Sequence, residues 1–490
     1  MPRPAAAPAA AGAKAASHIY ASYCADCHGA KLEGASGPTL RDGRWTQADA
    51  STALVARIGA GVPERGMPAW RGVIADADIA ALAAFVVERN SQQGKTEQLP
   101  DTFTTHLYDV RIESILEQGL KQPKSLAVLG DGSLLVTEDH GLRLVRDGKL
   151  VPEPIAGVPP NDSIEEIAAR AADAGDAAPW LYITYLCSKA CDHAQRHTYT
   201  LARGRLRDGR WSDNKTLIEY GDGDTAYGVS KLAFDDRGHI YFTLSAAEHP
   251  GQDPADLDAE MARAQDLASY RGKVFRIEED GRIPADNPFA GKTGALPAIW
   301  SYGHRGLSGL TFDRARGELW STEHGPWGGD ELNLIRGGKN YGWPLVSFGY
   351  HYVGKHIDAA QAAALESPIF HWTPSIGVSN VLVYDGAAFP KWQGQLFVGS
   401  LGARIGHTLY RFELKDTAAR LYEYPADATG RVLRDAAGTA QPRMPRYEEV
   451  LPDIGRIRDM RVGPEGYFYL LLERPERIVR VVPAQPATAR

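Results

Sequence analysis

Gly132-Ser133-Leu134-Leu135-Val136-Thr137 is a turn glycine leading into an apolar, strand-like run, and its form decides the fold because it comes back along the chain. It returns at Trp180-Leu181-Tyr182-Ile183-Thr184-Tyr185, Gly238-His239-Ile240-Tyr241-Phe242-Thr243 and Gly317-Glu318-Leu319-Trp320-Ser321-Thr322. Two further returns are Gly394-Gln395-Leu396-Phe397-Val398-Gly399 and Gly466-Tyr467-Phe468-Tyr469-Leu470. Most are followed, after a loop of variable length, by a second alternating stretch such as Lys273-Val274-Phe275-Arg276-Ile277 or Arg477-Ile478-Val479-Arg480-Val481. Six cycles of small antiparallel sheet, each unable to bury both faces alone, are best satisfied by stacking radially around a channel. The expected architecture over residues 106–484 is therefore an all-β six-bladed β-propeller, whereas a stacked sandwich would not need the repeated unit. Loops at one mouth of the channel are then the place for a ligand.

Upstream the texture is helical. Residues 15–90 read as a small all-α domain: a helix leading into Cys24-Ala25-Asp26-Cys27-His28, a looped middle, and a closing helix. That helix begins near Asp76 or Asp78 and puts Ile79, Leu82, Phe85 and Val86 on one face. Residues 91–105 are polar and aperiodic and read as a linker. Residues 1–14, rich in alanine and proline without an apolar segment, read as a flexible leader.

Composition agrees with a small domain joined to a large one, since 490 residues exceed one ordinary domain. The 51 glycines and 31 prolines imply many turns and hence many short strands. A net charge of -7 with interspersed signs points to no nucleic-acid or anionic-membrane partner. No apolar run approaches the roughly 18 residues of a membrane span, so a soluble protein is expected.

Two thiols three positions apart, Cys24 and Cys27, can each form a thioether to a haem vinyl group, and the adjacent His28 can reach the iron. A structural or redox-active Cys-x-x-Cys pair followed by a chance histidine is the plainer alternative. Met67, set between glycine and proline in Gly66-Met67-Pro68-Ala69-Trp70, is the methionine placed to complete a His/Met iron site. Gly37-Pro38-Thr39-Leu40 resembles the cytochrome c segment whose proline carbonyl orients the ligand imidazole. Cys187 and Cys191 are close enough to close a small disulfide loop, as suits an oxidising compartment. A free pair, or a zinc site with His193 and His197, is the alternative.

The densest unusual stretch is Gly303-His304-Arg305, Glu323-His324-Gly325-Pro326-Trp327-Gly328-Gly329-Asp330-Glu331-Leu332-Asn333 and Asn340-Tyr341-Gly342-Trp343-Pro344. With Gly130-Asp131-Gly132-Ser133, Ile283-Pro284-Ala285-Asp286-Asn287-Pro288-Phe289, Trp372-Thr373-Pro374-Ser375 and Arg456-Ile457-Arg458-Asp459, it resembles the soluble, PQQ-dependent glucose/sorbosone (aldose sugar) dehydrogenase family. The resemblance implies a six-bladed propeller. It also implies that Gly325 and Pro326 give backbone oxygens to calcium, that Arg456 and Arg458 hold the PQQ carboxylates, and that Trp372 lines the substrate side.

The chain departs from the family where the base should stand, because that place falls on Ala226 or Tyr227, neither an ordinary general base. Ser245-Ala246-Ala247-Glu248-His249 replaces a Gly-Asp and Arg-Asn segment, Asn161-Asp162-Ser163-Ile164-Glu165 replaces a Gly-Gln-Gly-Gly stretch, and Arg404 is the nearest cation to an expected lysine. His249 and then His324 are the substitute bases. The expected protein is a periplasmic quinohaemoprotein dehydrogenase. It would use haem c, PQQ and calcium, oxidise an alcohol or aldose-type hydroxyl, and deliver electrons to a periplasmic acceptor. The alternatives are a haem-tethered propeller that has lost PQQ and a metal-dependent propeller hydrolase.

Overall fold

The computed structural model describes residues 16, 19–29, 32, 40, 53–62, 67–91, 100–139, 141–170, 178–187, 198–221, 230–246, 259, 261–326, 328–349, 365–372, 375–402, 407–414, 447–473 and 476–484. The chain forms two compact units, one of Met1–Leu99 with Pro374–Gly377 and Gly402–His407, the other of Pro100–Thr373, Val378–Leu401 and Thr408–Arg490.

Among the described residues of the larger unit the strands form six antiparallel sheets, the blades of a six-bladed propeller. Blade 1 runs Leu126–Val128, Leu134–Glu138, Gly141–Arg146 and Lys149–Leu150; blade 2 runs Ser163–Ala169, Leu181–Cys187, Thr198–Arg207 and Arg210–Gly221. Blade 3 comprises Leu232–Phe234, His239–Leu244, Lys273–Glu278 and Ile299–Tyr302, and blade 4 Gly306–Asp313, Glu318–His324, Asp330–Ile335 and Phe370–Trp372. Blade 5 is Val378–Val383, Leu396–Ser400, Leu409–Phe412 and Tyr447–Glu449. Blade 6 takes Arg456–Val462, Phe468–Glu473 and Arg477–Pro483 from the end of the chain, with Asp109–Leu116 and Thr102–Thr104 from the start of the unit. Each of the six glycine- or tryptophan-led runs of the sequence falls on the second strand of its blade.

The first strands of consecutive blades pack on one another around a closed ring. Second strands are therefore covered on both faces by neighbouring blades, and Leu134–Glu138 is buried at every position. Between blades 5 and 6 the cover is aromatic: Tyr384 stacks on Phe468 at 5.0 Å and Phe389 on Trp392 at 4.4 Å. Blade 6 is closed by pairing Val110 with Pro483 through Leu116 with Ile478.

Within residues 91–105, expected as a linker, the described end takes part in the sheet. Thr102–Thr104 pairs with Asp109–Arg111 as the outermost strand of blade 6, and Phe103 is buried there. The polar flanks hide this from the sequence, since one buried side chain in three leaves no periodic signal.

Charged residues meet on the first strands, where the ring encloses them. Asp459 of blade 6 accepts Ser125 Oγ at 2.8 Å and Leu126 N at 2.9 Å from blade 1, and Arg461 Nη1 at 2.7 Å. Asn380 of blade 5 also donates to it. Lys231, beside blade 3, sits 2.8 Å from Glu166 of blade 2 and 3.8 Å from Asp459. Arg461 closes the set by pairing with Glu166.

In the smaller unit, Ala25–His28, Ala53–Ala60 and Asp76–Ser91 are helical. Ile79, Leu82, Phe85 and Val86 are buried as the periodicity requires, and Phe85 meets Tyr20 at 5.4 Å. Residues 1–14 and Gly37-Pro38-Thr39 lie outside the described residues.

Candidate functional site

Cys24 caps the short helix Ala25–His28, and His28 N donates to Cys24 O at 2.9 Å. Helical spacing of three and four therefore puts Cys24, Cys27 and His28 on one face. Neither cysteine is in a disulfide; Cys27 is exposed, and His28 is 9% exposed. Tyr20 Oη donates to Gly29 O at 2.7 Å and fixes the backbone just past the histidine. Two accessible thiols and an imidazole on one helical face suit a haem held through two thioethers. Met67, partly buried, bridges to Val62 in the loop between the helices Ala53–Ala60 and Asp76–Ser91.

In the propeller the site residues share an end of the blades, because each lies at the start of a first strand or the end of a second. His324 ends the second strand of blade 4, Arg456 begins the first strand of blade 6, and Glu473 ends its second. The turn after His324 is tied down by Asp330, which accepts Gly325 N at 3.1 Å through one oxygen and Val378 N of blade 5 at 3.1 Å through the other. Arg305, just before blade 4, donates from Nη1 to His324 O at 2.9 Å and to Gly325 O at 2.8 Å. Its own backbone N–H is held by Glu323 Oε2 at 3.0 Å, and Glu323 Oε1 meets His304 Nδ1 at 2.6 Å.

Arg456 donates to Leu401 O at 2.7 Å and pairs with Glu473 at 3.1 Å, and Arg458 approaches the same carboxylate at 3.5 Å. Two guanidinium groups thus share one carboxylate. Arg458 is the extra residue of a β-bulge, since Ile457 pairs with Leu472 and Asp459 with Leu471. Burial first, and then the charges of Arg305, Arg458 and Arg456, hold the His324 imidazole below its usual pKa against the pull of Asp330. The charges of Arg305, Arg456 and Arg458 thus all act on His324. Arg456 and Arg458, both partly exposed, are the guanidinium pair that suits a ligand carrying carboxylates, whereas buried Arg305 is spent on backbone carbonyls.

Behind this cluster Glu331 lies across the strand pair from Glu323, and Asn333 Nδ2 donates to both, at 3.1 and 3.0 Å. Burial, then the Glu323 charge, pushes the Glu331 carboxyl up to about 8.

The Gly325 carbonyl, expected as a calcium ligand, accepts from Arg305 Nη1. Trp372 is placed with its ring in the packing between blades 4 and 5, 6.0 Å from Tyr410 and 5.9 Å from Phe412, while its backbone oxygen accepts Gly329 N at 2.8 Å. Ala226, Tyr227, His249, Arg404, Cys191, His193 and His197 lie outside the described residues. Cys187 is disulfide-bonded, which sets aside the free pair.

Two features escaped the sequence. The sequence shows Arg305 only within an unusual stretch, and its position at the onset of a first strand is the available signal. At the same end of blades 1 and 2, Lys124 pairs with Glu165 at 2.7 Å and Asp139 at 3.2 Å, where Asn161–Glu165 departs from the family.

Comparison with known proteins agrees with both units. The Glucose / Sorbosone dehydrogenase family model matches residues 120–480, and the model described as cytochrome C oxidase, cbb3-type, subunit III matches residues 11–86. An uncharacterized protein of Synechocystis sp. is 34% identical over 73% of this chain and 82% of its own length. The aldose sugar dehydrogenase YliI of Escherichia coli is 32% identical over 73% of this chain and 89% of its own. A solved glucose dehydrogenase covers 76% of this chain and 99% of its own with a TM-score of 0.60 and 31% identity. The match over most of the propeller and the match over the segment before it show that this chain belongs to the glucose/sorbosone dehydrogenase family and carries a cytochrome c domain ahead of the propeller.

Proposed function

We propose that this protein is a periplasmic PQQ-dependent dehydrogenase that oxidises an alcohol or aldose-type hydroxyl and passes the electrons to its own covalently attached haem c. The observation that carries the reading is the set of three arginines, Arg305, Arg456 and Arg458, around the partly exposed His324 at one mouth of the propeller. PQQ, when bound, supplies the two-electron redox chemistry, and haem c hands electrons on one at a time. Arg456 and Arg458 orient and neutralise the carboxylates of the cofactor. His324, kept neutral by burial and by those same charges, can take the proton of the substrate hydroxyl. His249 is the other candidate base, because it follows in sequence the strand His239–Leu244, which ends at the same mouth. Calcium would sit at Gly325 and Pro326, which requires Arg305 to release the Gly325 carbonyl.

That engaged carbonyl, with Ala226 or Tyr227 at the family's base position, favours one second reading: a propeller that has lost PQQ and serves as a haem-tethered binding or electron-transfer module. The test is to add PQQ and calcium to the oxidised protein and offer aldoses and simple alcohols while following haem absorption. Substrate-dependent haem reduction that requires PQQ supports the dehydrogenase. Absence of PQQ binding by the intact protein supports the module.

A further inference from the structure

We infer that Gly61 is the residue that positions Met67 for the haem, acting through backbone clearance alone; the inference rests on Met67 being the second iron ligand. The helix Ala53–Ala60 ends at Gly61, whose N–H donates to Arg57 O at 2.8 Å and whose φ is +68°. Immediately beyond, Val62 and Met67 exchange both backbone hydrogen bonds, Val62 N to Met67 O at 2.8 Å and Met67 N to Val62 O at 3.1 Å. The chain then returns along the helix end. Trp70 N donates to Ile58 O at 3.3 Å and Arg71 N to Gly59 O at 3.0 Å, so the helix's terminal carbonyls serve as anchors for the methionine loop.

Met67 is thus tied on one side to Val62 and on the other, three and four residues later, to the helix. Between the two ties the Pro68-Ala69 peptide crosses directly over Gly61. A Cβ on residue 61 would stand 2.5 Å from both the carbonyl carbon and oxygen of Pro68 and 2.6 Å from Ala69 N. All three are backbone atoms, so no rotamer relieves the contact. To reach an ordinary 3.4 Å from 2.5 Å, the Pro68-Ala69 peptide, one residue past Met67, must retreat by about 0.9 Å. Metal–ligand distances are held to about 0.2 Å, so a backbone shift several times larger works against a thioether–iron bond on the tied residue.

The same loop supplies a matched control. Gly72 also has a positive φ, +90°, yet a Cβ there meets nothing within 4 Å. Conformational strain is therefore common to both positions, and only Gly61 adds the collision. At Gly59 the nearest atom is the flexible end of Arg71, at 3.3 Å, which can move aside.

The experiment uses the full-length, haem-loaded ferric protein and three variants, Gly61→Ala, Gly72→Ala and Met67→Ala. It reads the far-red charge-transfer band of methionine–iron coordination, the midpoint potential, and titration with imidazole as a probe of the sixth position. Met67→Ala is expected to lose the band, which establishes the ligand. Gly61→Ala is expected to keep its covalent haem but lose the band and fall in potential, because His/Met ligation raises it. Imidazole should then bind it at least about tenfold more tightly than the unsubstituted protein, since the thioether no longer competes for the site. Gly72→Ala should match the unsubstituted protein. If the unsubstituted protein lacks the band and Met67→Ala changes nothing, the ligand assignment falls and the inference with it. If Met67→Ala loses the band but Gly61→Ala keeps it, or Gly72→Ala loses it equally, the inference alone is overturned. Should Gly61→Ala fail to mature with haem, hydrogen exchange of the unsubstituted protein decides. The Met67 and Arg71 amides should be protected as helix amides are, and exchange at open-loop rates overturns the clamp.

Discussion

Replacing Asp459 by alanine should destabilise the propeller by about 3–5 kcal/mol, the cost of breaking a buried ion pair by removing one partner. The side chain is fully buried and accepts from Ser125, Leu126, Asn380, Met460 and Arg461. Its loss leaves Arg461 and Lys231 sharing the single carboxylate of Glu166. Unfolding entropy near 2.1 cal/mol/K per residue, over roughly 380 residues of propeller, gives about 0.8 kcal/mol/K, so the melting transition should fall by about 4–6 °C. Acid dependence provides the second arm. Burial opposes ionisation of Asp459, but Arg461, Lys231 and the bonds from Leu126 and Ser125 outweigh it and hold its pKa below the usual aspartate value. A depressed folded-state pKa contributes stability that is present above the usual aspartate range and lost as pH falls through the depressed value. The substitution should therefore flatten the acid side of the stability profile. The assay is tryptophan fluorescence of the propeller transition against temperature at several pH values. A shift under 1 °C at neutral pH, or an unchanged acid limb, would refute the idea that this carboxylate joins blades 1, 5 and 6.

Arg456→Ala should lower PQQ retention, measured by equilibrium dialysis, while the haem spectrum stays as it was; retention at the unsubstituted level would remove Arg456 from the cofactor site. For His324, a pKa held below the usual imidazole range means that a base function switches on at lower pH than an ordinary histidine would allow. The acid limb of kcat should therefore lie below that range and vanish in His324→Gln, and a limb that persists unaltered would point to His249.

Much of the fold was legible because each blade writes one run of consecutive apolar residues opened by a turn. What the sequence could not display was pairing at long range. Asp109–Leu116 reads as an isolated alternating stretch, and only the structure joins it to Arg477–Pro483. The site divides in the same way. Arg456 and Arg458 stand two apart on one strand and were visible, whereas Arg305 acts by grasping the carbonyls of His324 and Gly325, a role no residue pattern encodes. The family resemblance implies a place for Trp372 beside the substrate, and strand pairing with Asp330 puts its ring in the packing between blades. Lys124 and Glu165 lie 41 positions apart, and their pairing depends on adjacent blades presenting the same end to the mouth.

The closure of blade 6 also sets an order of events during synthesis. Glu113 and Arg480, bonded across it, are 367 positions apart, so the ring has no closing partner until almost the whole propeller has been made. The cytochrome segment emerges first, and loop-closure entropy over such a span makes ring closure a late step. A chain stopped short of Arg477 would carry the whole Cys-x-x-Cys-His segment and an open propeller ring.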